Sequence, residues 1–144
     1  MKKLNINPKG LKTGDCVVRA IAYAMDKDWD EVYKDLCTLG FKMKRLPNEK
    51  QVYEKYLEQQ GWEKHRQPRA YDYLDGNKDT MSKYTVNEFA EMMSGENRCL
   101  GKGKIIITVA NHMTCIEVNN WKYEIVDTWD CGRKCVGNYW TKEN

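Results

Sequence analysis

The sequence predicts an α+β fold, with N-terminal helices packed on a C-terminal antiparallel sheet. Two observations carry this. Apolar residues recur at helical spacing as far as Gln60, and after Ile105 the pattern changes to short β-branched runs separated by turn residues. Helices first and strands second is the order of an α+β chain, not of alternating βαβ units. A length of 144 residues fits a single domain spanning 1–144 with room for a real core.

The elements follow in order. An irregular lead-in ends at Thr13-Gly14-Asp15. Residues 16–26 read as a helix, rich in Ala, with Val17, Ile21, Ala24 and Met25 at helical spacing. A second helix opens at Asp28, where Glu31 completes a capping-box pattern, carries Val32, Leu36 and Leu39 on one face, and is expected to stop at Gly40. A third runs from about Asn48 to Gln60 with Gly61 as its stop. Residues 62–84 are polar, aromatic and poorly periodic, which reads as a long loop or weak strands that shape a groove. Thr85 and Glu88 form a second capping box ahead of a short helix. Strands are then expected at 105–109, 112–118, 122–127 and about 135–140.

Composition excludes several classes. Residues are 41% hydrophobic and 31% charged, and five Trp with nine Tyr argue against disorder. A net charge of +3, with Lys and Arg interspersed among Asp and Glu, implies neither nucleic acid nor membrane as partner. The basic start, Met1-Lys2-Lys3, has no apolar stretch behind it, and the longest apolar run, Ile105 to Ala110, is too short to span a bilayer. A reducing cytoplasm is therefore expected, with the six cysteines (16, 37, 99, 115, 131 and 135) as free thiols rather than a disulfide framework.

Only two histidines, His65 and His112, can serve as a base. A thiol attacks as thiolate, and a helix N-terminus and a neighbouring imidazolium both lower its pKa. Cys16 has the first by position, since it opens a helix after a Gly-Asp turn. The second is expected from His112. A two-residue turn at Asn119-Asn120 would pair Val118 with Trp121, Glu117 with Lys122, and His112 directly with Asp127 on one face. A two-residue turn at Ala110-Asn111 would likewise pair Val109 with His112. Cys16 as nucleophile, His112 as base and Asp127 as orienting acid make a thiol-hydrolase triad. His65, in the basic segment Lys64-His65-Arg66, reads as exposed and idle. Cys131 and Cys135 invite a zinc reading with Cys99 or Cys115, but no second closely spaced pair supports it, and no metal or other cofactor is expected.

The segment Gly14-Asp15-Cys16-Val17-Val18-Arg19-Ala20-Ile21 resembles the nucleophile helix of ovarian-tumour-type deubiquitinases, whose motif runs Asp-Gly-Asp/Asn-Cys-Leu-Phe-Arg-Ala. The segment from His112 to Trp129 is similar to the histidine–aspartate hairpin of peptidases that process double-glycine leaders. Asp28-Trp29-Asp30-Glu31-Val32-Tyr33 and Gly137-Asn138-Tyr139-Trp140 resemble stretches of small papain-like proteins of phages and Gram-positive bacteria. The resemblance covers about a third of the chain and implies a papain-like fold, a peptide or protein substrate, and Cys16, His112 and Asp127 in the triad roles. It also implies a Gln six residues before the Cys as oxyanion donor, where this chain has Gly10; the deubiquitinase motif's leading Asp is Thr13 here. Backbone N–H groups at the start of the first helix, or Asn5, Asn7 or Lys12, are the candidates to replace the Gln, with Asp15 beside them and Trp129 shielding the His–Asp pair. Hydrolysis, acyl transfer and capture of a partner without turnover all remain open.

Overall fold

Ile105, Ile106 and Ile107 are all fully buried, and this decides the layering. Three consecutive buried residues on a strand need cover on both faces of the sheet. The computed structural model describes residues 1–70, 82–95 and 102–143. Its elements are β1 (Lys2–Lys3), α1 (Cys16–Met25), α2 (Trp29–Met43), α3 (Lys50–Gln59), β2 (Glu63–His65), β3 (Arg69–Ala70), β4 (Ser82–Lys83), α4 (Val86–Met93), β5 (Lys102–Val109), β6 (His112–Asn119), β7 (Lys122–Asp127) and β8 (Tyr139–Thr141). The fold is α+β. Six strands form one sheet in the order β1-β7-β6-β5-β8-β2, antiparallel except for the β1–β7 pair, and β3 with β4 makes a separate two-stranded ribbon.

One sheet face presents Ile106, Met113, Cys115 and Trp140 to α1, α2 and α3, which supply Ile21, Val32, Leu36, Val52 and Leu57 among others. The other face presents Ile105, Ile107, Val109, Ile116, Val118 and Ile125 to Val86, Phe89, Ala90 and Met93 of α4. The Thr85–Glu88 capping box forms as expected, with both reciprocal hydrogen bonds present. Among the described residues, no helix is long and apolar enough to cross a membrane.

Several expectations need correction. The second helix passes through Gly40 and ends at Met43, with Lys44 at φ 58° as its left-handed cap. Gly40 is needed for close approach instead: a Cβ there would sit 2.6 Å from the Arg45 carbonyl oxygen. Asp28 stands at the start of that helix without a side-chain capping bond, so no capping box forms. The lead-in is not wholly irregular, because Lys2 and Lys3 pair with Val126 and Asp127. The last strand is only Tyr139–Thr141, since the chain from Cys131 to Val136 bonds the start of α4 (Val86 N to Lys134 O, Asn87 N to Gly132 O). His65 is not idle. It stacks on Tyr139 at 4.5 Å and bonds the Thr141 hydroxyl at 2.8 Å. Of the 62–84 stretch, residues 71–81 lie outside the described residues, and β2 lies at the sheet edge opposite β1.

The β6–β7 register also differs. Asn119 pairs with Lys122 and Val118 with Tyr123, so the turn is Asn120-Trp121, at φ 45° and 73°. Glu117 then faces Glu124 rather than Lys122, while Ile116 faces Ile125. Aligning two buried isoleucines outweighs an exposed Glu–Lys pair, which contributes only about 0.2–1 kcal/mol. The β5–β6 turn matches expectation, with Val109 opposite His112 and Asn111 at φ 55°.

Candidate active site

His112 starts β6 and Asp127 ends β7, and the observed register does not set them directly opposite. Continued by its own step, the ladder would place Thr114 opposite Asp127. The difference from the expected pairing is two residues, and an even shift keeps every side chain on its face. His112 therefore reaches Asp127 diagonally, a span that long side chains can close. Its Nε2 donates to Asp127 Oδ2 at 2.6 Å. Asp127 Oδ1 accepts from the Thr128 backbone N–H at 2.7 Å and from Arg19 Nη1 at 3.3 Å.

Cys16 is the first residue of α1, across the end of the sheet. Burial by itself would raise its pKa. The hydrogen bond with His112, the Met113 backbone and the charges of His112 and Arg19 outweigh burial, and the thiol lies below its ordinary value. Burial likewise opposes the charged form of His112, yet its bonds to Asp127, Cys131 and Cys16 push it up to about 11. Asp127 is held below the usual carboxylate range: desolvation is overcome chiefly by His112. At neutral pH the arrangement favours a thiolate beside an imidazolium, with the carboxylate behind it.

The remaining predicted positions take different places. Asp15 is buried and saturated with donors: Arg19 Nε at 2.8 Å, Trp29 Nε1 at 3.0 Å and Asn7 Nδ2 at 3.1 Å. Its side chain makes no cap bond to α1, which leaves the first N–H groups of that helix uncapped by it. Asn7 is buried, and its Oδ1 accepts from the Lys9 and Leu11 amides, so it braces the lead-in rather than facing the groove. Lys12 is exposed and lines the groove, as does Asn5. Trp129 lies 4.8 Å from the His112 ring, covering it while itself 41% exposed. Cys99 lies outside the described residues, and the other five cysteines are free.

The groove beside Cys16 has a volume of about 860 Å³, with Leu11, Lys12, Thr128 and Trp129 in its walls. A second hollow of about 360 Å³ adjoins it, and Cys16, Asn111 and His112 line both.

Sequence reasoning missed Arg19 and Cys131. Arg19 ties Asp15 to Asp127, and its place in the deubiquitinase-like motif was the one available signal. Cys131 is buried with its thiol 3.8 Å from Asp127 Oδ2, a partnership made only by the fold. Donor atoms of His112, Asp127 and Cys131 lie within 4.8 Å of one another, a set able to hold a metal ion, although the facing atoms of His112 and Asp127 already hydrogen-bond. No known family model matches the chain, and neither a curated protein nor a solved structure does so.

Proposed function

We propose that this protein is a papain-like thiol hydrolase acting on a peptide, isopeptide or related amide bond. The observation that carries the reading is the chain of contacts from the Cys16 thiol at a helix N-terminus, through His112, to Asp127 at 2.6 Å, beside an open groove. The Cys16 thiolate attacks the amide carbonyl carbon, and the carbonyl π electrons move to oxygen. N–H groups at the start of α1 face the developing oxyanion, aided by the helix dipole. The tetrahedral intermediate collapses, the C–N bond breaks, and His112 gives its proton to the departing amine, leaving a thioester. Neutral His112 then takes a proton from water as the water oxygen attacks, and the thiolate is expelled. Asp127 holds the ring throughout.

Acyl transfer uses the same first half and differs only in the final nucleophile. Capture of a partner without turnover is favoured by Gly10, which stands where papain-like enzymes carry the oxyanion Gln. The test is alkylation by iodoacetamide across pH, followed by peptide-library cleavage with Cys16→Ala as control. Cys16 is expected to alkylate far faster than the exposed Cys135 at about pH 6, and His112→Ala to slow it by about a hundredfold. Equal reactivity of Cys16 and Cys135 would sink the thiolate assignment. A reactive Cys16 without cleavage products would favour the binding reading.

A further inference from the structure

Charge in the two hollows is strongly one-sided. The larger is lined by Lys3, Lys12 and Arg19 against the single carboxylate of Asp15, and the smaller by Lys50 with no carboxylate. Asp15 is spent on Arg19, Trp29 and Asn7, so it offers little charge to an occupant. Arg19 is in turn spent on Asp15 and Asp127. Lys3 and Lys12 have no ion-pair partner among the described residues, and Lys50 has only a loose, exposed contact with Glu54 at 3.7 Å. The thiolate, Asp127 and Asp15 together face the His112 imidazolium and the one Arg19 guanidinium, which leaves one net negative charge against the three lysines. Two unpaired ammonium groups, Lys3 and Lys12, and the loosely paired Lys50 therefore line the two hollows that share Cys16.

Lys3 owes its place to the β1–β7 pairing, which sets it beside Asp127 in register. Leu11 and Trp129, 54% and 41% exposed, add apolar wall in the same hollow. Because Cys16, Asn111 and His112 are shared by both hollows, an extended chain can cross the thiol and meet cations in either hollow. We infer that the preferred substrate is an extended acidic peptide segment, with Asp or Glu near the reacting bond and an apolar side chain against Leu11 and Trp129. This rests on the thiol-hydrolase reading and names the substrate class for that site.

The test uses two peptidyl vinyl sulfones of equal length, Ac-Asp-Glu-Leu-Ala and Ac-Lys-Lys-Leu-Ala. In each, Cys16 Sγ adds to the vinyl carbon β to the sulfone and a proton is delivered to the carbon next to the sulfone. Each rate is divided by the iodoacetamide rate of the same protein, which reports the thiolate alone. The acidic probe is expected to label Cys16 about tenfold faster than the basic one, the sum of two modest charge contacts. The ratio is expected to fall towards unity between about 50 mM and about 500 mM salt. Lys3→Glu with Lys12→Glu is expected to invert the preference. Equal normalised rates in low salt overturn the inference while leaving the triad intact. Absence of fast iodoacetamide labelling overturns the triad itself. Protection of Cys16 by a single-stranded oligonucleotide as strong as that by the acidic peptide assigns the cations to polyanions in general and also overturns the inference.

Discussion

Arg19 is half-buried between two buried carboxylates, with Nε 2.8 Å from Asp15 and Nη1 3.3 Å from Asp127. Asp15 immediately precedes Cys16 and Asp127 bonds His112, so one guanidinium fixes the two halves of the candidate site against each other. Arg19→Ala leaves Asp15 without its cation and Asp127 with His112 alone, and a loss on the order of 3 kcal/mol is expected in urea denaturation. Arg19→Lys keeps the charge but not the fork, and is expected to recover part of that stability. The positioning role has its own readout: the pH midpoint for alkylation of Cys16 should rise in Arg19→Ala and return part way in Arg19→Lys. An unchanged midpoint in a folded Arg19→Ala protein would reduce Arg19 to a purely structural pair. Cys16, His112 and Asp127 were legible in sequence because histidine is scarce and the residue order is distinctive. The reach of Arg19 to Asp127 was not, since that partner lies far along the chain, and neither was Cys131, whose contact with Asp127 depends on the loop after β7.

At the scale of elements, the end of α2 separates two uses of glycine. A helix-stopping Gly40 would tolerate little else for conformational reasons, whereas here the obstacle is the Arg45 carbonyl oxygen packed against the helix. Gly40→Ala is therefore expected to destabilise by about 1–3 kcal/mol through overpacking. Lys44, the residue that adopts φ 58°, is the one expected to gain from glycine, by up to about 1 kcal/mol in Lys44→Gly. Thermal or urea unfolding of both variants checks this, and the opposite signs would restore Gly40 as the cap. Helix existence and the Thr85 box were readable because spacing and capping chemistry are local. The β6–β7 turn was not, because Asn119 and Asn120 both tolerate a left-handed backbone and nothing local marks Trp121 for φ 73°. The even shift in register preserved the His112–Asp127 face, so the right pair came from the wrong alignment.

For the molecule as a whole, the site exists only when the helical layer docks on the sheet, since Cys16 and Arg19 come from α1 while His112 and Asp127 come from β6 and β7. The charges that meet there make folding stability depend on pH. Asp127 has its pKa lowered from 3.8, so its charged form contributes stability above that value and loses it as pH falls through the depressed one. His112 runs the other way: raised from 6.5 to about 11, its contribution is complete below 6.5 and declines as pH climbs towards the raised value. Both contributions need Asp127 ionised, and Asp127→Asn removes its charge while keeping its shape. Measured in a Cys16→Ala background, which removes the thiol's own titration, the parent is expected to exceed the Asp127→Asn variant in urea midpoint most between about pH 4 and about pH 6.5. The gap should close below about pH 4, as Asp127 is protonated, and narrow steadily above about pH 6.5. A gap that stays constant below about pH 3 would mean that the amide in place of the carboxylate loses packing or a hydrogen bond rather than charge. No gap at about pH 5.5 would mean that the His112–Asp127 pair adds nothing to the docking of the two layers.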